Sequence, residues 1–123
     1  MDGIHAKHNP DHRVLLVKGP RRVRVAFAGE TIADSRDAVT VEETGYPPVH
    51  YLPRQDVRMD RLARTSHKTH CPYKGDAAYF SLAVGDRTVE NAVWSYEAPF
   101  VEVMGLKERV AFYPSKVDAI EVE

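Results

Sequence analysis

The sequence predicts a mostly β protein: a single compact antiparallel β domain, barrel- or sandwich-like with strongly bent sheets, and one short helix. Three observations predict it. Runs of β-branched and aromatic residues recur from Arg13 to the C-terminus, Gly and Pro punctuate them at short intervals, and only one segment carries helical spacing. At 123 residues the chain suits one domain with a core of its own and needs no staple; its single cysteine cannot form an internal disulfide.

Residues 1–12 are polar and unpatterned and are expected to form a flexible N-terminal segment ahead of one β-rich domain over 13–123. In "RVLLVKGPRRVRVAFAGETIADS" two strands flank a Gly-Pro turn, and Val23, Val25 and Phe27 alternate with Arg22, Arg24 and Ala26. "TIADS" and "AVTVEE" add two short β runs, Gly45-Tyr46-Pro47-Pro48 forces a loop, and "VHYL" resumes extended structure before Pro53. "RQDVRMDRLARTS" is the helical candidate, with Val57, Met59 and Leu62 on one face and Asp56 and Asp60 near its start. "AAYFSLAV", "RTVENAVWSY", "ERVAFY" and "VDAIEVE" then read as strands.

Gly85-Asp86 between two alternating runs is a two-residue hairpin signal, because Gly in the first loop position suits a type II′ turn. An unbroken register from that turn sets Val84 against Arg87, Leu82 against Val89, Phe80 against Asn91, Ala77 against Trp94 and Gly75 against Tyr96. Phe80, Leu82, Val84, Val89 and Val93 then share a core face, and Tyr79, Ser81, Ala92, Trp94 and Tyr96 the other. Two large rings over Ala77 and Gly75 leave space for a ligand beside the turn that precedes the hairpin.

That turn is "HCPYKG". Pro72 suits the second position of a β-turn over Cys71 to Lys74, which brings the Lys74 ammonium toward the Cys71 thiol, and Gly75 can take a positive φ in a tight corner. Cys71 is a candidate nucleophile, with His70 or His67 as base and Lys74 favouring thiolate. Alternatively Cys71 packs as a small hydrophobe while Lys74 and the backbone N–H groups around Gly75 receive an anion. Lys74 is expected at the surface, where replacement by Ala costs under about 1 kcal/mol. Zinc has the least support, since His67, His70 and Cys71 lack a second cysteine pair; no metal and no cofactor is expected.

With these residues in view, the chain is similar to the family catalogued as domain of unknown function 427, small and mostly bacterial proteins. The similarity runs through "NPDH", "RVRVAFAGETIADS", "YLPRQDV", "THCPYKGDAAYFS", "AVWSYEAP" and "RVAFYPSKVD", from about Asn9 nearly to the end. It implies a compact β-rich domain. Its motif falls on Thr69, Cys71, Pro72, Lys74, Gly75, Ala77, Tyr79, Trp94 and Tyr96, on Tyr51, Pro53, Arg54 and Asp56, and on His12. Arg54 suits a carboxylate or phosphate, or an ion pair with Asp56. A nucleotidyltransferase-type label goes with the resemblance, yet the sequence has no Gly-rich phosphate loop and no paired-Asp metal motif.

The functional expectation is a small ligand, anionic in one reading, bound by Lys74, Gly75, Tyr79, Trp94, Tyr96, Tyr51 and Arg54. The alternative is a protein-interaction module that uses the aromatic face or a sheet edge. A cysteine-dependent or nucleotidyltransferase-like enzyme has less support. Lys+Arg 17 against Asp+Glu 18 gives net charge -1, which makes no case for nucleic acid. No apolar run has the ~20 residues of a membrane helix and the start lacks a signal-like apolar segment, so a cytoplasmic location without membrane contact is expected.

Overall fold

A computed structural model describes residues 11–123; residues 1–10, most of the expected flexible segment, lie outside the described residues. Ten strands form three antiparallel sheets and, among the described residues, no closed barrel. The first sheet has the order β1-β4-β5, with β1 Val14–Lys18, β4 Val39–Glu43 and β5 Val49–Tyr51. The second is β10-β2-β3, with β2 Val23–Phe27, β3 Glu30–Ser35 and β10 Ala119–Val122. The third is β6-β7-β8-β9, with β6 Leu62–Cys71, β7 Gly75–Val84, β8 Arg87–Tyr96 and β9 Val110–Phe112. The Gly19-Pro20 turn does not close a hairpin: β1 leaves for β4 and β2 for β3, so the turn carries the chain from one sheet to another.

The stretch after β5 ties the sheets together. Leu52 exchanges backbone hydrogen bonds with Val110 of β9 (2.8 and 2.9 Å), and Val57 bridges Ala33 of β3. The helix expected over this region is instead two one-turn 3-10 segments, Arg54–Asp56 and Met59–Arg61, followed directly by strand β6. Val57 and Leu62 are extended, because each sits where the backbone must pair or turn toward a sheet rather than coil.

Strand β7 is central to its sheet and buried on both faces. Ala77 and Tyr79 enter one core with Val41, Tyr51, Tyr96 and Leu106, while Phe80 and Leu82 enter the other with Val25, Phe27, Val93 and Phe112. The hairpin turn is as expected, with positive φ at Gly85 (+58) and not at Asp86. Its register is not unbroken. Leu82 faces Val89, but Phe80 faces Val93, so Ser81 stands opposite the bulge Glu90-Asn91-Ala92. Asn91 takes the left-handed conformation (φ 52), its N–H donates to Ser81 Oγ (3.3 Å), and Thr65 Oγ1 donates to its side-chain oxygen (2.7 Å). Consequently Tyr79, not Ala77, faces Trp94, and Ala77, not Gly75, faces Tyr96; Ala92 turns into the core with Phe80 and Leu82.

Arg54 does not pair with Asp56, which instead accepts from Ser35 Oγ (2.8 Å). Its guanidinium reaches Glu97 (2.8 Å), Ser95 Oγ (3.0 Å) and the Glu108 carbonyl (2.6 Å), and Arg64 holds the same carboxylate at 2.7 Å. The hydrogen bond from Arg64 and then that from Arg54 hold the Glu97 carboxyl down at about 2.

Two predictions follow from this architecture. Gly75 has φ +117, and a β-carbon there would lie 3.4 Å from the Ala98 carbonyl; Gly85 (φ +58) has nothing within 4 Å. Gly75→Val should therefore cost about 2 kcal/mol or more in urea denaturation and Gly85→Ala about 1 kcal/mol. For Glu97 the folded pKa lies below the ordinary value of 4.5, so its contribution is present above pH 4.5 and is lost as pH falls toward about 2. A third of that side chain is in water, so screening reduces the contribution to roughly 1–2 kcal/mol, and Glu97→Gln should flatten this part of the acid-unfolding curve.

Candidate functional site

Between the first and third sheets lies a cavity of about 260 Å3. Six residues singled out in the sequence meet there: Tyr51 of β5, Cys71 and Lys74 of the turn, Tyr79 of β7, and Trp94 and Tyr96 of β8. The turn forms as expected, since the Lys74 N–H donates to the Cys71 carbonyl at 3.2 Å. That bond also spends one of the backbone donors proposed for an anion.

Lys74 is not a surface residue. It is 6% exposed, and its ammonium pairs with Glu43 Oε1 of β4 (2.5 Å) and lies 3.8 Å from Cys71 Sγ. The other Glu43 oxygen is bonded to His12 Nε2 (2.8 Å), and the His12 ring stacks on Tyr73 with centroids 4.0 Å apart. Lys74 is buried because strand β4 presents a carboxylate at the spot the turn reaches, and a buried cation needs such a partner. The expectation of a surface Lys74 is accordingly overturned.

The aromatic groups divide by hydrogen bonding. Trp94 Nε1 donates to the Tyr51 hydroxyl (3.0 Å), and the Tyr79 hydroxyl is bonded to Thr69 Oγ1 (2.9 Å). Tyr113, whose ring centroid is 4.4 Å from that of Trp94, is pushed up to about 12 by burial and then by the nearby Tyr79 phenol. Burial likewise raises Tyr51 and Tyr96 far above the ordinary phenol range, so these hydroxyls stay neutral. Tyr96 is 8% exposed, and its hydroxyl, near Tyr51, Cys71, Tyr79 and the Glu43 carboxylate, makes no hydrogen bond among the described residues.

Four sequence candidates stand outside the cavity. His70 is next to Cys71 on β6, so its side chain leaves by the opposite face; it is exposed and bonded to Asp76 (2.7 Å). His67 packs edge-on to Tyr79 from the β6 bulge, at 4.5 Å between centroids. Arg54 serves Glu97, and Gly75 abuts the backbone of Ala98–Phe100 without lining the cavity. The lining also includes Glu43, Tyr113, Val49 and the Tyr46-Pro47 loop, which the sequence reading did not select. Glu43 carried a signal: Val39, Val41 and Glu43 alternate on one face of β4, and a carboxylate on an apolar face calls for a partner. Among the described residues no group of three or more His, Cys, Asp or Glu side chains is placed to hold a metal ion, and no helix is long and apolar enough to cross a membrane.

The site thus offers a satisfied charge pair, a thiol beside it, and a ring-lined space in which the phenols of Tyr96 and Tyr46 have no hydrogen-bond partner among the described residues. No curated protein matches the sequence. A family model does, over residues 15–123, a span that takes in the whole cavity lining; the chain belongs to the family described as Domain of unknown function (DUF427).

Proposed function

We propose that this domain binds a small molecule in the cavity between β4, the Cys71–Lys74 turn and the Trp94/Tyr96 wall. The observation that carries the reading is Tyr96, a largely buried residue of the cavity lining whose hydroxyl has no hydrogen-bond partner among the described residues. A phenol that no protein group engages can donate to or accept from a ligand atom. Rings on several sides give such a ligand apolar contact, in keeping with how small-molecule sites are built. An interaction module draws less support, because Trp94 and Tyr96 line a concave space rather than a flat outer face.

A thermal-shift panel of nucleotides, sugar phosphates, dicarboxylates and uncharged aromatic compounds tests the proposal, read together with Trp94 emission. A compound that raises Tm should also quench or shift the emission of Trp94, the only tryptophan. Tyr96→Phe should weaken it about tenfold, the value of one hydrogen bond. Cys71→Ser should bind within about threefold of wild type. Hits that leave Trp94 emission unchanged and ignore Tyr96→Phe would place the site elsewhere.

Lys74 requires a separate control. Lys74→Ala leaves the Glu43 carboxylate buried against His12 alone and should cost about 3–5 kcal/mol in urea denaturation, whereas the double variant Lys74→Met/Glu43→Gln should recover most of it. A Lys74→Ala loss below about 1 kcal/mol would show that the pair does not hold this wall.

A further inference from the structure

A second cavity, of about 460 Å3, adjoins the first, between β2 and β10 on one side and β5 and β9 on the other. Tyr46, Pro47, Val49, Trp94 and Tyr113 line both. The partition between the two therefore has a firm side, the Trp94–Tyr113 ring pair of the third sheet, and a surface side, the loop at Tyr46, which is 65% exposed. Beyond it Val23, Val25, Leu52, Phe112 and Ile120 supply apolar walls, and among the described residues no Lys, Arg, Asp or Glu lines the space. His50, its one imidazole, is bonded through Nδ1 to Thr40 Oγ1 (2.7 Å), and burial lowers its pKa from the ordinary value, which favours the neutral ring.

Charge accounting in the first cavity narrows the ligand further. Among the described residues Lys74 and Glu43 are the only Lys, Arg, Asp or Glu lining it, and they neutralise each other. An anion drawn to Lys74 would stand beside the Glu43 carboxylate, and displacing that carboxylate would leave it buried with His12 alone. A cation meets the same obstacle from the other side. An uncharged polar atom meets none, and the Tyr96 hydroxyl is there to pair with it.

We infer that the ligand is an uncharged molecule whose hydroxyl or carbonyl meets Tyr96 in the first cavity and whose apolar arm crosses between the Trp94–Tyr113 pair and the Tyr46–Pro47 loop into the second. The inference rests on the reading of the first cavity as a ligand site, and it adds the ligand's charge, its shape and a second subsite.

The test uses phenylalkanols, from benzyl alcohol to 6-phenylhexan-1-ol, and the matching phenylalkanoates, with binding followed by Trp94 emission and by NMR shifts of the full chain. Affinity for the alcohols should climb by up to about fourfold per methylene once the arm enters the second cavity. Ile120→Phe and Val122→Phe alter residues that line only the second cavity, and Val122 is half exposed, so that substitution is tolerated at the surface. Each should flatten the climb while leaving benzyl alcohol within about twofold of wild type, and the carboxylates should bind at least tenfold more weakly than the alcohols. A flat series in the wild type, a climb untouched by both variants, or carboxylates that bind as well as alcohols would overturn the inference. Benzyl alcohol binding that is lost on Tyr96→Phe would, in those cases, leave the first-cavity reading intact. If nucleotides or dicarboxylates perturb Trp94 and no alcohol does, the uncharged extended ligand is wrong and the cavity remains a site. If no compound of either class perturbs Trp94, both readings fall.

Discussion

The Lys74–Glu43 pair is the interaction on which the site depends. It joins β4 of the first sheet to the turn that opens β7 in the third, 31 residues apart in sequence. An ion pair taken out of water gains little by itself, because each charge gives up its hydration. This one is sustained by added contacts: His12 takes the second Glu43 oxygen, and Cys71 Sγ offers Lys74 a weak acceptor. Its worth is therefore in position. The charges must meet in one geometry, so β4 is held facing the turn, and the rings of Tyr51, Tyr79 and Tyr96 stand around the space between them.

A second constraint comes from the two bulges beside β7. On the β6 side one residue, Tyr79, stands opposite Thr65, Ser66 and His67; on the β8 side Ser81 stands opposite Glu90, Asn91 and Ala92. Thr65 and Asn91 bond to each other across β7, so the two irregularities form one structure. Their effect is to slide the far half of the hairpin by two residues, which preserves the inward and outward faces while changing every partner. Trp94 is thereby placed against Tyr79 and near Tyr113, the contacts that make it the partition between the two cavities.

The strands were legible because they announce themselves locally. Val23, Val25 and Phe27 alternate with arginines, and Gly or Pro closes most runs, so β1 to β5 and β7 to β10 could be placed from pattern. Strand β6 could not. It is an edge strand with mostly exposed polar side chains, and its pairing rests on backbone bonds that leave no hydrophobic period, so its start read as the end of a helix. The register failed for a related reason. A bulge is paid for by side-chain bonds such as Thr65 to Asn91, residues that nothing in the sequence links. At the site, Cys71, Lys74, Tyr79, Trp94 and Tyr96 lay close together along one turn and hairpin and could be grouped, and Tyr51 came through the family motif. Glu43, Tyr46 and Tyr113 come from other elements, and only Glu43 left a mark, as a carboxylate at the end of an apolar alternation.

The thiol is the residue whose role changes most when the geometry is considered. A cysteine nucleophile requires a nearby base or an uncommitted cation. His70 faces away and is bonded to Asp76, both Glu43 oxygens are engaged, and the charge of Lys74 is answered by Glu43. Tyr96 and Tyr51 are held neutral by burial and cannot take a proton from sulfur. Cys71 thus reads as part of the scaffold, a weak acceptor that completes the surroundings of Lys74 while its backbone closes the turn. With thiol, ammonium and carboxylate occupied with one another, the phenols of Tyr96 and Tyr46 are left without a hydrogen-bond partner among the described residues. The charged groups are spent on holding β4 against the turn, and the space between them presents rings and hydroxyls.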